Sequence, residues 1–182
     1  VLNKTDLVDA EAVREAAAPY EAAGYPVLPT CAITGDGVEE LRHQLAGRFS
    51  VLAGPSGAGK SSLLNAIEPG LGLRVRSVSR KTGKGKHTTT NVHIFPLDET
   101  TFVADTPGFR ELGFWRIEPE ELPSLFPEFL DYVGECRFTS CRHVPEPGCA
   151  VKEAVEAGEV DSGRYESYRR LLEEVEENPR RR

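Results

Sequence analysis

Gly54-Pro55-Ser56-Gly57-Ala58-Gly59-Lys60-Ser61 separates an apolar stretch, Phe49 to Ala53, from a segment of helical apolar spacing, Lys60 to Ile67. The first reads as a buried strand entering a loop and the second as the helix that leaves it. A glycine-rich turn in that position lets successive backbone N–H groups close around phosphate oxygens at the positive end of the helix dipole. Gly54, Pro55, Ser56, Gly57, Ala58 and Gly59 form the cradle. Lys60 can reach the β- and γ-oxygens of a nucleotide as a point charge, which makes it a candidate catalytic group as well as a binding one. The Ser61 hydroxyl can ligate Mg2+, and Ser62 follows it in the first helical turn. Strand, loop and helix in this order, among further alternating strands and helices, predict an α/β core with a mostly parallel sheet flanked by helices.

Upstream of this loop stands Asn3-Lys4-Thr5-Asp6. A carboxylate at Asp6 accepts from both N1–H and the exocyclic amine of guanine, whereas adenine offers no such donor pair. The Lys4 stem can lie along the base, and Asn3 can tie the loop together. Cys31-Ala32-Ile33-Thr34-Gly35 is the candidate companion loop, where a backbone N–H reads the guanine O6; Cys31 is its least usual residue, because Ser is commoner there. Downstream, Asp105-Thr106-Pro107-Gly108 closes an apolar strand. There Asp105 can hold Mg2+ through water and the Gly108 N–H can meet a γ-phosphate. In ordinary guanine-nucleotide switches the phosphate loop precedes the base-reading Asn-Lys-x-Asp. Here the order is reversed.

Between Arg74 and Lys86 lie six Lys/Arg and no acid, and the segment runs on into His87-Thr88-Thr89-Thr90. A threonine hydroxyl on a mobile loop can complete the Mg2+ shell in a triphosphate state and let go after hydrolysis, and Thr89 is the candidate. Many such enzymes orient the attacking water with a Gln after Asp-x-x-Gly; Phe109 occupies that place and cannot hydrogen-bond. His87 is the nearest polar substitute and the candidate catalytic residue for that role. Unassisted turnover is expected to be slow, on the order of 10⁻⁴ to 10⁻² s⁻¹.

Cys136-x4-Cys141-x-His143-x5-Cys149 offers three thiols and one imidazole, the donor set of a closed tetrahedral zinc site. Gly148, with Pro145 and Pro147, can turn the chain so that Cys149 returns to the metal. The segment after about Trp115 is acidic and proline-rich, followed by two amphipathic helices near Ala150–Ala157 and Arg164–Val175. A satellite this small has little core of its own, so zinc binding (~10–16 kcal/mol apparent) can fold it. Elsewhere the pattern predicts a helix capped by Asp9 that breaks or kinks at Pro19, a strand over Tyr25–Thr30, a helix over Val38–Ala46, and strands at Val92–Phe95 and Thr101–Ala104.

A net charge of −7 excludes a general nucleic-acid coat and leaves the basic loop as the candidate patch for a phosphate backbone. No apolar run approaches the ~20 residues of a membrane span, and four cysteines, three of them crowded beside a histidine, point to metal in a reducing compartment, with cytoplasm the expectation. Val1-Leu2 reads as the stub of a buried strand feeding the Asn-Lys-x-Asp loop, so the chain is expected to be part of a longer protein.

Taken in order, Asn3-Lys4-x-Asp6, Cys31-Ala32-x-Thr34-Gly35, the phosphate loop, Gly83-Lys84-Gly85-Lys86-His87-Thr88-Thr89-Thr90, Asp105-Thr106-Pro107-Gly108-Phe109 and the Cys/His cluster resemble the circularly permuted, ribosome small-subunit-dependent GTPase A family of bacteria, over the whole chain. The resemblance implies a circularly permuted P-loop GTPase domain over residues 1–115 and a small helical zinc-binding domain over 116–182. It implies hydrolysis of GTP to GDP and phosphate, stimulated by the small ribosomal subunit during its late maturation, and contact of the zinc domain with ribosomal RNA. A monomer is expected. The resemblance also implies an N-terminal OB-fold domain, which is not expected within residues 1–182. Two other readings compete on the residues alone. Guanylate kinases share the phosphate-loop wording but leave Asn3–Asp6, Asp105–Gly108 and the cysteines without a role; a non-catalytic zinc-bearing RNA adaptor would bind nucleotide for stability only.

Overall fold

Asp9 starts the first long element by accepting the Ala12 N–H on its Oδ1 at 2.9 Å, which satisfies one of the donors a helix start leaves open. Helix α1 then covers Ala10–Ala22 and passes through Pro19, where the sequence predicts a break or kink. Proline already holds the φ of a helix and removes a single N–H, and the alanine-rich turns around it have helical propensity to spare. The end comes at Gly24, whose positive φ of 84° lets Tyr25 N–H reach back to the Tyr20 carbonyl at 2.9 Å. The computed structural model of the protein describes residues 1–72, 93–105 and 117–177, the side chains of His93 and Asp105 excepted. The phosphate-shell candidates His87, Thr89 and Gly108, the side chain of Asp105 and the whole basic loop from Arg74 to Lys86 lie outside that description.

The chain separates into two compact units, Val1–Arg14 with Val27–Leu112, and Glu15–Pro26 with Gly113–Arg182. In the first, β1 (Leu2–Asn3) and β2 (Pro29–Thr30) pair in parallel, Leu2 opposite Pro29 and Asn3 opposite Thr30. The predicted strand from Tyr25 shortens to two residues because its partner offers a ladder no longer than that. Strands β3 (Phe49–Leu52), β4 (His93–Pro96) and β5 (Phe102–Asp105) form a second sheet in the order β3-β5-β4, with β3 and β5 parallel and β4 antiparallel to β5. The β4–β5 turn is held by Asp98, whose Oδ1 accepts the backbone N–H groups of Thr100 at 2.7 Å and Thr101 at 2.9 Å. The sheet is mixed: the β3–β5 pair is parallel, as the sequence predicts, and β4 adds an antiparallel strand beside β5.

Period-two alternation sends Val103, with the partly buried Leu52 and Phe95, toward helices α2 (Val38–Leu45) and α3 (Lys60–Ile67). There Val38, Leu41 and Leu45 meet Leu63, Leu64 and Ile67, each fully buried side chain worth about 1.5–3 kcal/mol. The opposite face is apolar as well, yet Phe49, Val51 and Ile94 are 61, 51 and 55% exposed. Among the described residues, strand β3 is thus covered on one side only, against the expectation of a buried strand.

The second unit packs around aromatic rings. Phe129 and Tyr168, both 0% exposed, meet edge to face at 5.0 Å, with Phe126, Leu122, Val151, Val160 and Leu172 around them. Short 3-10 turns at Leu122–Leu125 and Pro127–Phe129 deliver the phenylalanines; helices α4 (Ala150–Ala157) and α5 (Ser162–Glu177) deliver the rest. Arg164 of α5 donates to Glu128 Oε1 at 2.6 Å and lies over the rings of Phe126, Tyr20 and Tyr25. The contacts with Tyr20 and Tyr25 bind the Glu15–Pro26 segment into this unit through cation–π attraction, while the ion pair with Glu128 holds the guanidinium in place. No helix among the described residues is long and apolar enough to cross a membrane.

Candidate functional site

The base-reading and phosphate loops are in direct contact. Asn3, at the end of β1, donates from Nδ2 to the Ala58 carbonyl at 2.9 Å, and its Oδ1 accepts from Thr30 Oγ1 at 3.3 Å. Thr5 Oγ1 closes the same junction by donating to the Thr30 carbonyl at 3.2 Å. Lys4 takes a left-handed backbone, φ 72°, which turns the chain sharply and aims its ammonium at the Gly57 carbonyl, 2.5 Å away. Two carbonyls of the phosphate loop are thereby held by residues more than fifty positions upstream. The approach is close enough that Gly59 has no alternative: a Cβ there would sit 2.2 Å from Asn3 Nδ2, and its φ of 96° disfavours any side chain.

Gly59 is also the N-cap of α3, and it brings no side chain to cap the helix. The first-turn N–H groups of Lys60, Ser61 and Ser62 therefore face the loop at the positive end of the helix dipole, where an anion is favoured. Lys60 folds back on the loop, its Nζ donating to the carbonyls of Gly54 at 2.8 Å and Pro55 at 3.2 Å. Those weak, exchangeable contacts are ones a phosphate oxygen can replace with a charge-assisted bond.

Asp6 is exposed, and one of its oxygens has a partner that sequence reasoning valued least. Cys31, 1% exposed, donates its thiol to Asp6 Oδ1 at 3.0 Å and accepts the Thr34 N–H on sulfur at 3.4 Å. The loop behind it is closed by Cys31 N–H to the Asp36 carbonyl and Gly35 N–H to the Cys31 carbonyl. Ala32 packs partly buried against the α2–α3 core. One carboxylate oxygen is thus oriented by sulfur while the side chain as a whole stays open to solvent. Thr30, fully buried and bonded to Asn3, escaped the sequence reading because it lies just before a motif and not in one.

The second unit brings Cys136, Cys141, His143 and Cys149 together, with every ligand atom within 4.8 Å of the others. Cys136 Sγ and Cys149 Sγ are 3.9 Å apart, and His143 Nδ1 stands 3.5 Å from the first and 3.3 Å from the second. A tetrahedron with Zn–S of about 2.3 Å and Zn–N of about 2.0–2.1 Å has S–S edges of roughly 3.8 Å and S–N edges of roughly 3.6 Å. The donor set and its spacing fit a tetrahedral metal ion, with Nδ1 as the histidine donor. Burial lowers the His143 pKa and keeps the imidazole neutral, as a ligand must be, while burial pushes the Cys141 thiol up to about 12 and the Cys149 thiol upward too. Only a bound cation reverses that penalty and makes thiolates of them.

The loop carrying His143 is built by side chains. Arg137 N–H donates to the Gly148 carbonyl at 2.9 Å, bringing the first and last ligands side by side. The Glu146 carboxylate accepts the N–H groups of Arg142 and Val144, at 3.1 and 3.2 Å, and Lys152 Nζ donates to the carbonyls of Val144 and Glu146. Neither residue is part of a recognisable metal motif, so the ligand spacing alone could not reveal them.

Sequence comparison places these two sites in a known setting. The RsgA GTPase family profile matches residues 1–115. A small ribosomal subunit biogenesis GTPase RsgA from Gemmatimonas aurantiaca is 53% identical over 96% of this chain and 57% of its own length, and the protein of that name from Thermotoga petrophila is 50% identical over 96% and 59%. Among solved structures, YjeQ from Thermotoga maritima superposes with a TM-score of 0.76 at 45% identity, covering 99% of this chain and 59% of that one. YloQ, described as a circularly permuted GTPase, gives 0.73 at 34% identity, covering 99% and 57%. The chain thus spans somewhat under two thirds of the length of these relatives. Motif order, the joined base and phosphate loops, and this similarity lead to one conclusion: the chain belongs to the RsgA GTPase family.

Proposed function

We propose that this chain carries the centre that hydrolyses GTP to GDP and phosphate, and that the small ribosomal subunit and its RNA stimulate it during late subunit maturation in the cytoplasm. Residues 1–115 form the nucleotide domain and 116–182 the zinc-binding domain of this reading. The observation that carries it is the pair of hydrogen bonds from Asn3 and Lys4 to the Ala58 and Gly57 carbonyls. They fix a guanine-reading loop beside a phosphate-reading loop so that one molecule can span both. Asp6, oriented by Cys31, accepts the two guanine donors, and Ala32 N–H meets O6. Residues Gly54 to Gly59 and the first-turn N–H groups of Lys60, Ser61 and Ser62 surround the phosphates. Lys60 leaves its carbonyl partners to neutralise charge on the β- and γ-oxygens as water attacks phosphorus and the GDP oxygen departs. Ser61, Asp105 and Thr89 are the residues that would hold Mg2+, which when bound neutralises the phosphate charge; Gly108 meets the γ-phosphate, and His87 orients the water. Cys136, Cys141, His143 and Cys149 are the residues that would hold zinc, which when bound would stabilise this small domain and take no part in the hydrolysis.

Exchange of the base tests this reading most directly. Asp6→Asn is expected to weaken GDP and GTP binding by about 1–3 kcal/mol, by analogy with the loss of a bidentate base contact, and to improve xanthine nucleotide binding. Equal GDP affinity in Asp6→Asn and the unsubstituted chain, measured by fluorescent-nucleotide titration, would refute it. Lys60→Ala is the companion test, with single-turnover phosphate release expected to vanish.

A further inference from the structure

His143 is one of two residues other than glycine with a positive φ among the described residues, at 60°. A left-handed backbone at a residue with a Cβ persists only where its surroundings over-determine it. Here the determination comes from α5. Tyr165 donates its phenol to the His143 carbonyl at 2.6 Å, and Tyr168 donates its phenol to the Arg142 carbonyl at 2.7 Å. Spaced three apart on one helix, the two phenols share a face and grip two consecutive carbonyls, in the peptide units before and after the His143 Cα. Phe129 braces the assembly, with its ring 5.0 Å from Tyr168 and 6.3 Å from the His143 imidazole, both edge to face.

Metal-ligating histidines are commonly aimed through a hydrogen bond on the other ring nitrogen. The bonds seen here act on the main chain instead. They set the peptide on either side of the ligand, and the side chain follows from it. We propose that Tyr165 and Tyr168 are positioning residues for the zinc ligand His143, presetting its left-handed pose so that Nδ1 faces the sulfurs of Cys136 and Cys149 before metal arrives. Helix α5 thereby becomes part of the metal site although it supplies no ligand, and the retention of zinc is coupled to the docking of α5. The inference rests on the zinc reading given above.

The test uses the whole chain loaded with zinc, its release followed with a chromogenic chelator, and the cobalt(II)-substituted protein followed through its visible bands. Tyr165→Phe and Tyr168→Phe keep the rings and remove only the hydroxyls. Each is expected to weaken zinc binding by about 10–100-fold, the usual consequence of losing a supporting bond behind a ligand, and to shift the cobalt bands, a signature that a general loss of stability does not produce. Tyr132→Phe is the control, since that phenol bonds to Glu159 in the same unit, and it is expected to match the unsubstituted chain. If Tyr168→Phe fails to fold, Tyr165→Phe decides alone, because Tyr165 is only half-buried. Unchanged release and unchanged cobalt bands in Tyr165→Phe would overturn the proposal. Failure of the unsubstituted chain to hold stoichiometric zinc would overturn the zinc reading instead.

Discussion

The two units solve the problem of holding a site in opposite ways. In the first, the strained backbone falls mainly on glycine: Gly54, Gly57 and Gly59 take φ values of 153, 81 and 96°, and the loop they form is tied down by Asn3 and Lys4. In the second, the strain falls on His143, and four side chains that could hold a metal ion converge on a point where burial penalises thiolates. A nucleotide must enter and leave, so its cradle has to exist without it, built from backbone and bonds internal to the protein. A structural metal stays, so the protein can leave part of the stabilisation to the ion. The first unit should therefore tolerate loss of its ligand, and the second should not.

Metal removal puts that contrast to its hardest test. Chelation, or Cys149→Ser, is expected to withdraw most of an apparent ~10–16 kcal/mol and melt α4 and α5. Helical circular dichroism should fall accordingly while GDP binding by the first unit survives. Full retention of helix after verified zinc loss would erase the distinction between the units. Gly59→Ala probes the other side at smaller scale. The new methyl meets Asn3 Nδ2 at 2.2 Å and the backbone sits at φ 96°, so a cost of about 1–3 kcal/mol is expected. It should appear as weaker nucleotide binding, with zinc content untouched.

The smallest effect concerns the β4–β5 turn. The Asp98 carboxyl is held down from 3.8 to about 2 by the backbone N–H of Thr100, then by the Thr101 and Thr100 side chains. Because the folded value lies below the unfolded one, its contribution to stability is present above pH 4 and lost as pH falls toward 2. The amide resonances of Thr100 and Thr101 should shift together across that range, and Asp98→Asn should remove the transition.

Much of this site was legible because its chemistry is written in contiguous residues. A cradle of backbone N–H groups needs glycines at fixed offsets, a guanine reader needs a carboxylate beside a lysine, and a metal needs sulfur and nitrogen donors at turn-length spacing. Helix α3 matched its predicted limits because a loop that ends in a helix dipole leaves no freedom in where the helix begins. Other features were misread where a neighbour, not the local chain, decides. Helix α1 runs on past Pro19 to Ala22, β2 is two residues long because β1 is, and β3 leaves Phe49 and Val51 exposed although both are apolar. Thr30, Glu146, Lys152, Tyr165 and Tyr168 carry no local signal, since a hydroxyl, carboxylate or ammonium announces nothing about which distant carbonyl it will meet.

By itself the sequence determined the α/β class, the reversed order of the nucleotide motifs, the four candidate metal donors and membership in a GTPase family, because each depends on short-range spacing or on which donors a residue type possesses. Tertiary structure alone decided that Asn3 and Lys4 grip the phosphate loop, that Cys31 orients Asp6, that Glu15–Pro26 joins the helical unit through Arg164, and that α5 braces His143. Those are contacts between positions far apart in the chain. Their geometry is fixed only when whole faces pack, and no local pattern encodes which face will meet which.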